Sequence, residues 1–423
     1  MLLQGLRMQA QAGHSWPLAR TLLAYRYRTK TVPGRAVIAE LVTHRVVTAR
    51  ARRALIGVLS SALLACDSAT GPDGTLTIEV DGRLERSAVV TLRALLEGQA
   101  LPDSQVIWSA EPSSAVSFQP SQQAVLLEVG PVTISAAAGA ENGAITVDVA
   151  VPPTIVFDLL KNGNRDIYRA ALDGRDTVRL TSDLGDDSDP TVAGDVVVFV
   201  SFRDGNGELY MTSLEGQTPT RLTSTGVAEA SPALSHDAAL LAYTSSETGV
   251  PKLWIGASDG SNAARVTTDF GFAGSIETSP CWEPNGERVV FVSTSEGTAD
   301  IFTHAVSTGG FSLLVPDSAY HAEVEPAWNP DGSRVAFATD RTGDTEIHLF
   351  QVTSGALTQL TDRPGPDGQP TWVGDGRLVY VAWIEGTPHL RWLDPESPDE
   401  VHDIDIGPGE PGHPSGTWDP ANP

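Results

Sequence analysis

One serine and one recurring set of acids carry the chemical possibilities of this chain. Gly256-Ala257-Ser258-Asp259-Gly260 matches the G-x-S-x-G elbow, in which a strand-to-helix turn exposes a nucleophilic serine. Here the same place in earlier segments is held by "AALDG" (170–174) and "TSLEG" (212–216), so the serine is one filler of a strand-to-strand turn and no catalysis is expected of it. The nine histidines form no H-x-x-x-H pair, no cysteine cluster suggests zinc, and no glycine loop opens a helix to cradle phosphate. What remains is Asp187, Glu229, Glu277, Glu323 and Asp367, each three residues before a proline, with Pro411 in the sixth place. Brought together at the mouth of a channel, such carboxylates would hold a cation such as calcium or the basic side chains of a partner peptide. The plainer reading is that each one caps its own turn. His413, beside the sixth proline, joins them as a candidate binding residue. No cofactor is otherwise expected.

The elements that position these residues are read from "EPAWNPDGSRVAFATDRTGDTEIHLF" (325–350). Its short apolar runs alternate in period two and are separated by turn formers, which predicts a meander of strands. A meander of this size cannot bury both faces alone, so copies of it are expected. Strand-opening prolines recur at 190, 232, 280, 326, 370 and 414, separated by 42, 48, 46, 44 and 44 residues. A second marker keeps the same step: "DIYR", "ELYM", "KLWI", "DIFT", "EIHL" and "HLRW". A third, "RLT" at Arg179 and Arg221, "RVT" at Arg265 and "QLT" at Gln359, marks an outermost strand. This period with about four strands per unit predicts a six-bladed β-propeller over 153–420. The first copy lacks its proline-led strand and the last proline has no strands after it, so the two ends should complete one blade.

Composition supports a folded, turn-rich protein: 41% hydrophobic residues, 40 Gly and 29 Pro in 423 residues. Residues 1–53 hold ten Lys or Arg and one acid, Glu40, whereas the rest holds 18 basic and 52 acidic side chains. Such an acidic body repels nucleic acid and anionic membranes, and it favours basic peptides or cations as partners. Before Cys66 runs "ARARRALIGVLSSALLAC", a basic region followed by an apolar stretch too short to span a membrane. Leu63-Leu64-Ala65-Cys66 resembles the bacterial lipobox, which implies cleavage before Cys66 and lipid attachment to it. Residues 1–65 then read as an extension plus lipoprotein signal peptide, with a true start near Val46 or Val47, and 66–74 as a spacer. Cys281 reads as a small buried hydrophobe.

Between the spacer and the repeats, residues 75–152 carry "TLTIEV", "SAVVTLRALL", "SQVIWSAEP", "AVLLEVGPVTISAAAG" and "AITVDVAV", short alternating strands that predict a β-sandwich. The run around Trp108, with 115–118 and 132–136, resembles bacterial immunoglobulin-like domains, which implies a spacer role with Trp108 in the core. The all-β fold expected is thus a six-bladed propeller behind an immunoglobulin-like sandwich. "SPCWEPNGERVVFVS", "EPAWNPDGSRVAFAT" and "QPTWVGDGRLVYVA" resemble the repeats of TolB-type propellers, although Leu234, Val192 and Gly416 replace the tryptophans 282, 328 and 372 in the other copies. The resemblance implies a periplasmic or cell-surface monomer of the bacterial envelope that binds an envelope protein or basic peptide, touching the membrane only through its lipid. Two other readings stay open. One is a carbohydrate-active or peptidase-related propeller enzyme with a channel metal held by the same acids and His413; the other is a structural envelope scaffold.

Overall fold

The computed structural model describes residues 76–267, 270, 274–316 and 321–417. Cys66 and its signal segment lie outside the described residues. All but one short 3-10 turn of the regular structure is strand. Among the described residues no helix is long and apolar enough to cross a membrane.

Residues 76–149 form two antiparallel sheets. Leu76–Asp81, Val89–Leu96, Gln99–Ala100, Val116–Gln119 and Gln123–Leu126 make one, and Ile107–Glu111, Gly130–Ala138 and Glu141–Val149 make the other. Alternation puts Val90, Leu92 and Leu126 of the first sheet against Val132, Ile134 and Val147 of the second in one core, and Trp108 packs at its margin.

From Thr154 onward the described residues form six four-stranded antiparallel sheets. The proline-led strands Asp187–Ala193, Glu229–Leu234, Glu277–Trp282, Glu323–Trp328, Asp367–Trp372 and Glu410–Gly416 each pack on the next, and the last packs on the first, so they close a ring. Closure is covalently out of order. Glu410–Gly416, the last strand among the described residues, pairs with Thr154–Lys161, the first strand of the ring, so the facing edges of both strands are covered. Apolar side chains of one sheet fill the face of the next. Phe157, Val379 and Val381 share a core, as do Phe199 with Ile167, and Phe291 with Leu253. Trp282 and Trp372 add a fixed link, because each donates its indole N–H to the carbonyl of the preceding sheet, Ala233 at 2.9 Å and Ala327 at 3.0 Å.

The sandwich is bolted to the ring. Arg377, 1% exposed, makes two hydrogen bonds to Glu85 (2.7 and 2.9 Å) and lies over the Trp392 ring, while Arg86 reaches Asp173 at 2.7 Å.

Candidate functional site

The axis of the ring is built by the proline-led strands, and their sequence explains its geometry. Proline has no N–H for the ladder, and an innermost strand is paired on one side only, so proline is tolerated there. Each strand is bulged at this point, between Ser188 and Thr191 in the first proline-led copy and between Gly412 and Ser415 in the last. The residue before each proline has a positive φ, from 43° to 55°: Asp189, Ser231, Ser279, Glu325, Gln369 and His413. Six non-glycine residues in that region, at one position of a repeat, mark strain that the ring sustains where the strands meet the axis.

Four of these residues are chained together. Glu325 Oε2 accepts the backbone N–H of Gln369 at 2.6 Å, and Gln369 Oε1 accepts that of His413 at 2.8 Å. His413 Nδ1 lies 2.7 Å from Asp158 Oδ2, and its Nε2 lies 3.1 Å from Asp189 Oδ1. The Asp189 backbone N–H donates to Asp158 at 3.2 Å, and Arg165 pairs with the other Asp158 oxygen. Burial pulls the His413 imidazole down, but its hydrogen bond to Asp158 and the charges of Asp189, Asp158 and Glu325 outweigh it and push it up to about 9. It is therefore an imidazolium at neutral pH. Burial would raise Asp158; His413 and Arg165 more than offset this and hold it below the usual carboxylate range. Asp189 and Glu325 are raised, chiefly by burial. With both ring nitrogens engaged, His413 is neither a free base nor a free metal ligand. It presents a held charge, with 42% of its side chain exposed beside Asp189 at 29%.

Beyond this cluster the axis continues into a cavity of about 170 Å³ lined by the prolines and the residues after them, Cys281 and Trp282 among them. Burial pushes the Cys281 thiol up to about 11, and its sulfur accepts the Trp328 N–H at 3.5 Å, so it behaves as an inert filler. Ser258 lies in the turn between Lys252–Ala257 and Ala264–Arg265, as its repeat position implies.

The five repeat acids open the proline-led strands, but their carboxylates are buried in the seams between sheets rather than presented at a mouth: Asp187, Glu277 and Glu323 are 0% exposed, Glu229 1% and Asp367 3%. Each is engaged locally. Asp187 takes Arg203 at 3.1 Å, and Glu323 pairs with Arg341. Glu229 accepts the hydroxyls of Thr225 (2.8 Å) and Ser245 (3.0 Å). Glu277 accepts Lys252 Nζ at 2.8 Å, the Leu253 N–H at 3.0 Å and the Thr267 hydroxyl. Asp367 shares Thr361 with Glu346. Of the candidate residues, only His413 stands in the axial cluster. Asp158, Asp189, Glu325 and Gln369 were missed, although a polar residue before the proline in all six copies was there to be read. Among the described residues no group of three or more His, Cys, Asp or Glu is arranged to hold a metal ion.

The family model described as the TolB beta propeller domain matches residues 275–396. A search of curated proteins finds no match. Among solved structures, TolB from Acinetobacter baumannii superposes with a TM-score of 0.54 at 14% identity, over 81% of this chain and 82% of that one. A putative TolB from Agrobacterium tumefaciens gives 0.51 at 18% identity, over 64% and 95%. Kuenenia stuttgartiensis hydrazine synthase gives 0.53 at 12%, over 63% of this chain and 46% of that one. The ring of sheets is a TolB-like propeller.

Proposed function

We propose that this chain is a bacterial envelope protein that binds a protein or peptide at the axis of a six-bladed TolB-like propeller, carried on an immunoglobulin-like domain and tethered by lipid on Cys66. One observation carries the binding role. His413 and Asp189 offer a cation and an anion side by side to whatever enters the channel, held in place by a buried Asp158 and by strained backbone. A preorganised charged pair of this kind favours recognition, since the ordering cost is met before the partner arrives. The same pair argues against the enzyme reading, because no ring nitrogen of His413 is free to take a proton or a metal. The likeness to TolB supports an envelope setting, and the "LLAC" sequence supports the lipid.

The test uses the mature protein as bait on envelope extract, beside His413→Ala and Asp189→Asn. A partner retained by the wild type and lost from both variants, each still folded, supports the reading. Equal retention by all three overturns it. Mass spectrometry of the mature N-terminus checks the anchor: acylated Cys66 is expected, and a peptide from residues 1–46 in mature protein would contradict it.

A further inference from the structure

At three seams the first residue of one sheet's third strand lies against the acid that opens the next sheet: Glu208 against Glu229, Lys252 against Glu277 and Glu346 against Asp367, and the outer-strand threonines 267 and 361 bond to Glu277 and Glu346. In most seams a base is present too. Arg179 pairs with Asp166 (2.6 Å) and Arg203 with Asp187; Arg221 pairs with Glu208 (3.0 Å) beside Glu229; Lys252 pairs with Glu277; and Arg341 pairs with Glu323. The seam between the fifth and sixth sheets differs. Glu346 and Asp367 are each 3% exposed, and among the described residues no arginine or lysine forms an ion pair with either. The arginine of the outer-strand motif is replaced by Gln359, which still donates to the Thr361 carbonyl at 2.8 Å, as Arg221 does to Thr223 at 2.6 Å, but brings no charge. The hydroxyl residue that faces the acid across the ladder elsewhere, Ser201, Ser245, Ser293 or Thr339, is here Ala382.

Two buried carboxylates are left with one hydroxyl between them. Thr361 Oγ1 accepts the Ile347 N–H at 2.9 Å and gives its only proton to Glu346 Oε2 at 2.6 Å, while Asp367 Oδ2 has no hydrogen-bond partner among the described residues. Two buried anions so placed, without a base, cannot both stay ionised at modest cost. We propose that this seam is a proton-binding site, in which Asp367 and Glu346 hold one proton between them and its loss loosens this seam in particular. A proton on Asp367 is directed to the free lone pair of Thr361 Oγ1, whose own hydrogen goes to the Glu346 carboxylate, so the pair carries a single negative charge.

The surroundings agree. Burial first, then the charges of Asp367, Asp362 and Asp344, push Glu346 up to about 7; Thr361 opposes this. Burial pushes Asp367 up to about 6 against Thr361, Arg391 and Arg363, and Arg391 is itself engaged by Asp403 at 2.6 Å. The Tyr380 phenol, buried near Asp367, is raised by burial to about 12 and stays neutral. The protons belong to the pair, which titrates as a unit. Gln369 of the axial cluster lies two residues after Asp367, so the seam borders the channel site.

Both carboxyls are raised above their unfolded values. The stability they contribute is therefore complete in acid and is lost as pH rises, from about 4 to about 7, and the loss is flat beyond that. The experiment compares the melting temperature of the full chain with that of Glu346→Gln across this range. Relative to the variant, the wild type should fall by about 5 °C between pH 4.5 and pH 8. The difference removes the contributions of Asp189 and Glu325, which are common to both proteins. Infrared spectroscopy gives a readout independent of stability: the carbonyl stretch of a protonated carboxylic acid, present in the wild type at pH 6, should be reduced in both Glu346→Gln and Asp367→Asn. Should one variant fail to fold, the other serves. Parallel melting profiles, or a protonated-acid band of the same size in the folded variant, would overturn the proposal.

Discussion

His413 and Asp158 sit 2.7 Å apart although 255 residues separate them in the chain. The contact joins the last strand of the ring to the first, so the charge at the axis and the closure of the fold are one interaction. Asp158 is fully buried and serves two cations, His413 and Arg165. Asp158→Asn keeps the shape and removes the charge, which leaves both cations facing an amide. A loss of about 3 kcal/mol is expected, in the range for breaking a buried pair from one side. Urea unfolding of the variant checks it, and a loss below about 1 kcal/mol would show that the pair does not hold the ring.

The same pair gives a second pH window. The His413 pKa is raised by folding, so its stabilisation is complete below about 6.5 and fades as pH climbs through about 9. Melting temperature should therefore drop between pH 7 and pH 10 in the wild type and stay flatter in His413→Gln. NMR of the imidazole should show the transition near 9, and a midpoint near 6.5 would contradict the caged geometry.

Closure itself is tested by ending the chain after Gly409. The first sheet then loses Glu410–Gly416, its strand Thr154–Lys161 is bared, and the ring loses one of its six inner strands together with that strand's packing on both neighbours. Destabilisation by about 4 kcal/mol or more is expected, together with a tendency to associate through the open edge. An unchanged melting temperature with a monomeric profile in gel filtration would rule out the closed ring.

The indoles offer a controlled comparison. Trp372 and Trp282 give their N–H to a carbonyl of the preceding sheet, whereas Trp328 Nε1 has no hydrogen-bond partner among the described residues. Replacing each by Phe removes similar volume. Trp372→Phe and Trp282→Phe should each cost about 1 kcal/mol more than Trp328→Phe, the share of the hydrogen bond and of the carbonyl left unpaired. Equal losses in denaturant titrations would mean that packing alone sets the value of these tryptophans.

Much of this architecture was legible because the repeat writes it six times. The prolines marked the innermost strands, "RLT" and its variants marked the outer ones, and the unpaired ends at Thr154 and Pro414 foretold the closing sheet. The axial cluster was hidden by its own variety: Asp189, Ser231, Ser279, Glu325, Gln369 and His413 share a backbone conformation and not a side chain, so a search for like residues passes over them. The acids misled for the opposite reason. Asp187, Glu229, Glu277, Glu323 and Asp367 are alike, yet the bulge two residues later separates them from the axis. For Glu229, Glu277 and Asp367 a facing side chain, Glu208, Lys252 or Glu346, comes from the third strand of the preceding sheet, more than 20 residues upstream, a pairing that only the packing of neighbouring sheets reveals.

Glu277 shows what those acids do. Its carboxylate takes Lys252 Nζ at 2.8 Å and the Leu253 N–H at 3.0 Å, and both charged groups are almost wholly buried. Neutralising a carboxylate that lined an empty acidic funnel would relieve repulsion and stabilise the protein. Glu277→Gln is instead expected to destabilise it by about 3 kcal/mol, since a buried ammonium loses its counter-charge. Partner affinity, measured on the folded fraction, should stay within about twofold, because the seam does not face the channel. Pairing it with Lys252→Met removes both charges and should recover most of the loss, as replacing a whole buried pair by apolar volume often does. A stabilised Glu277→Gln with weakened binding would return the repeat acids to the binding site. A destabilised one that Lys252→Met rescues assigns them to the seams that hold neighbouring sheets in register.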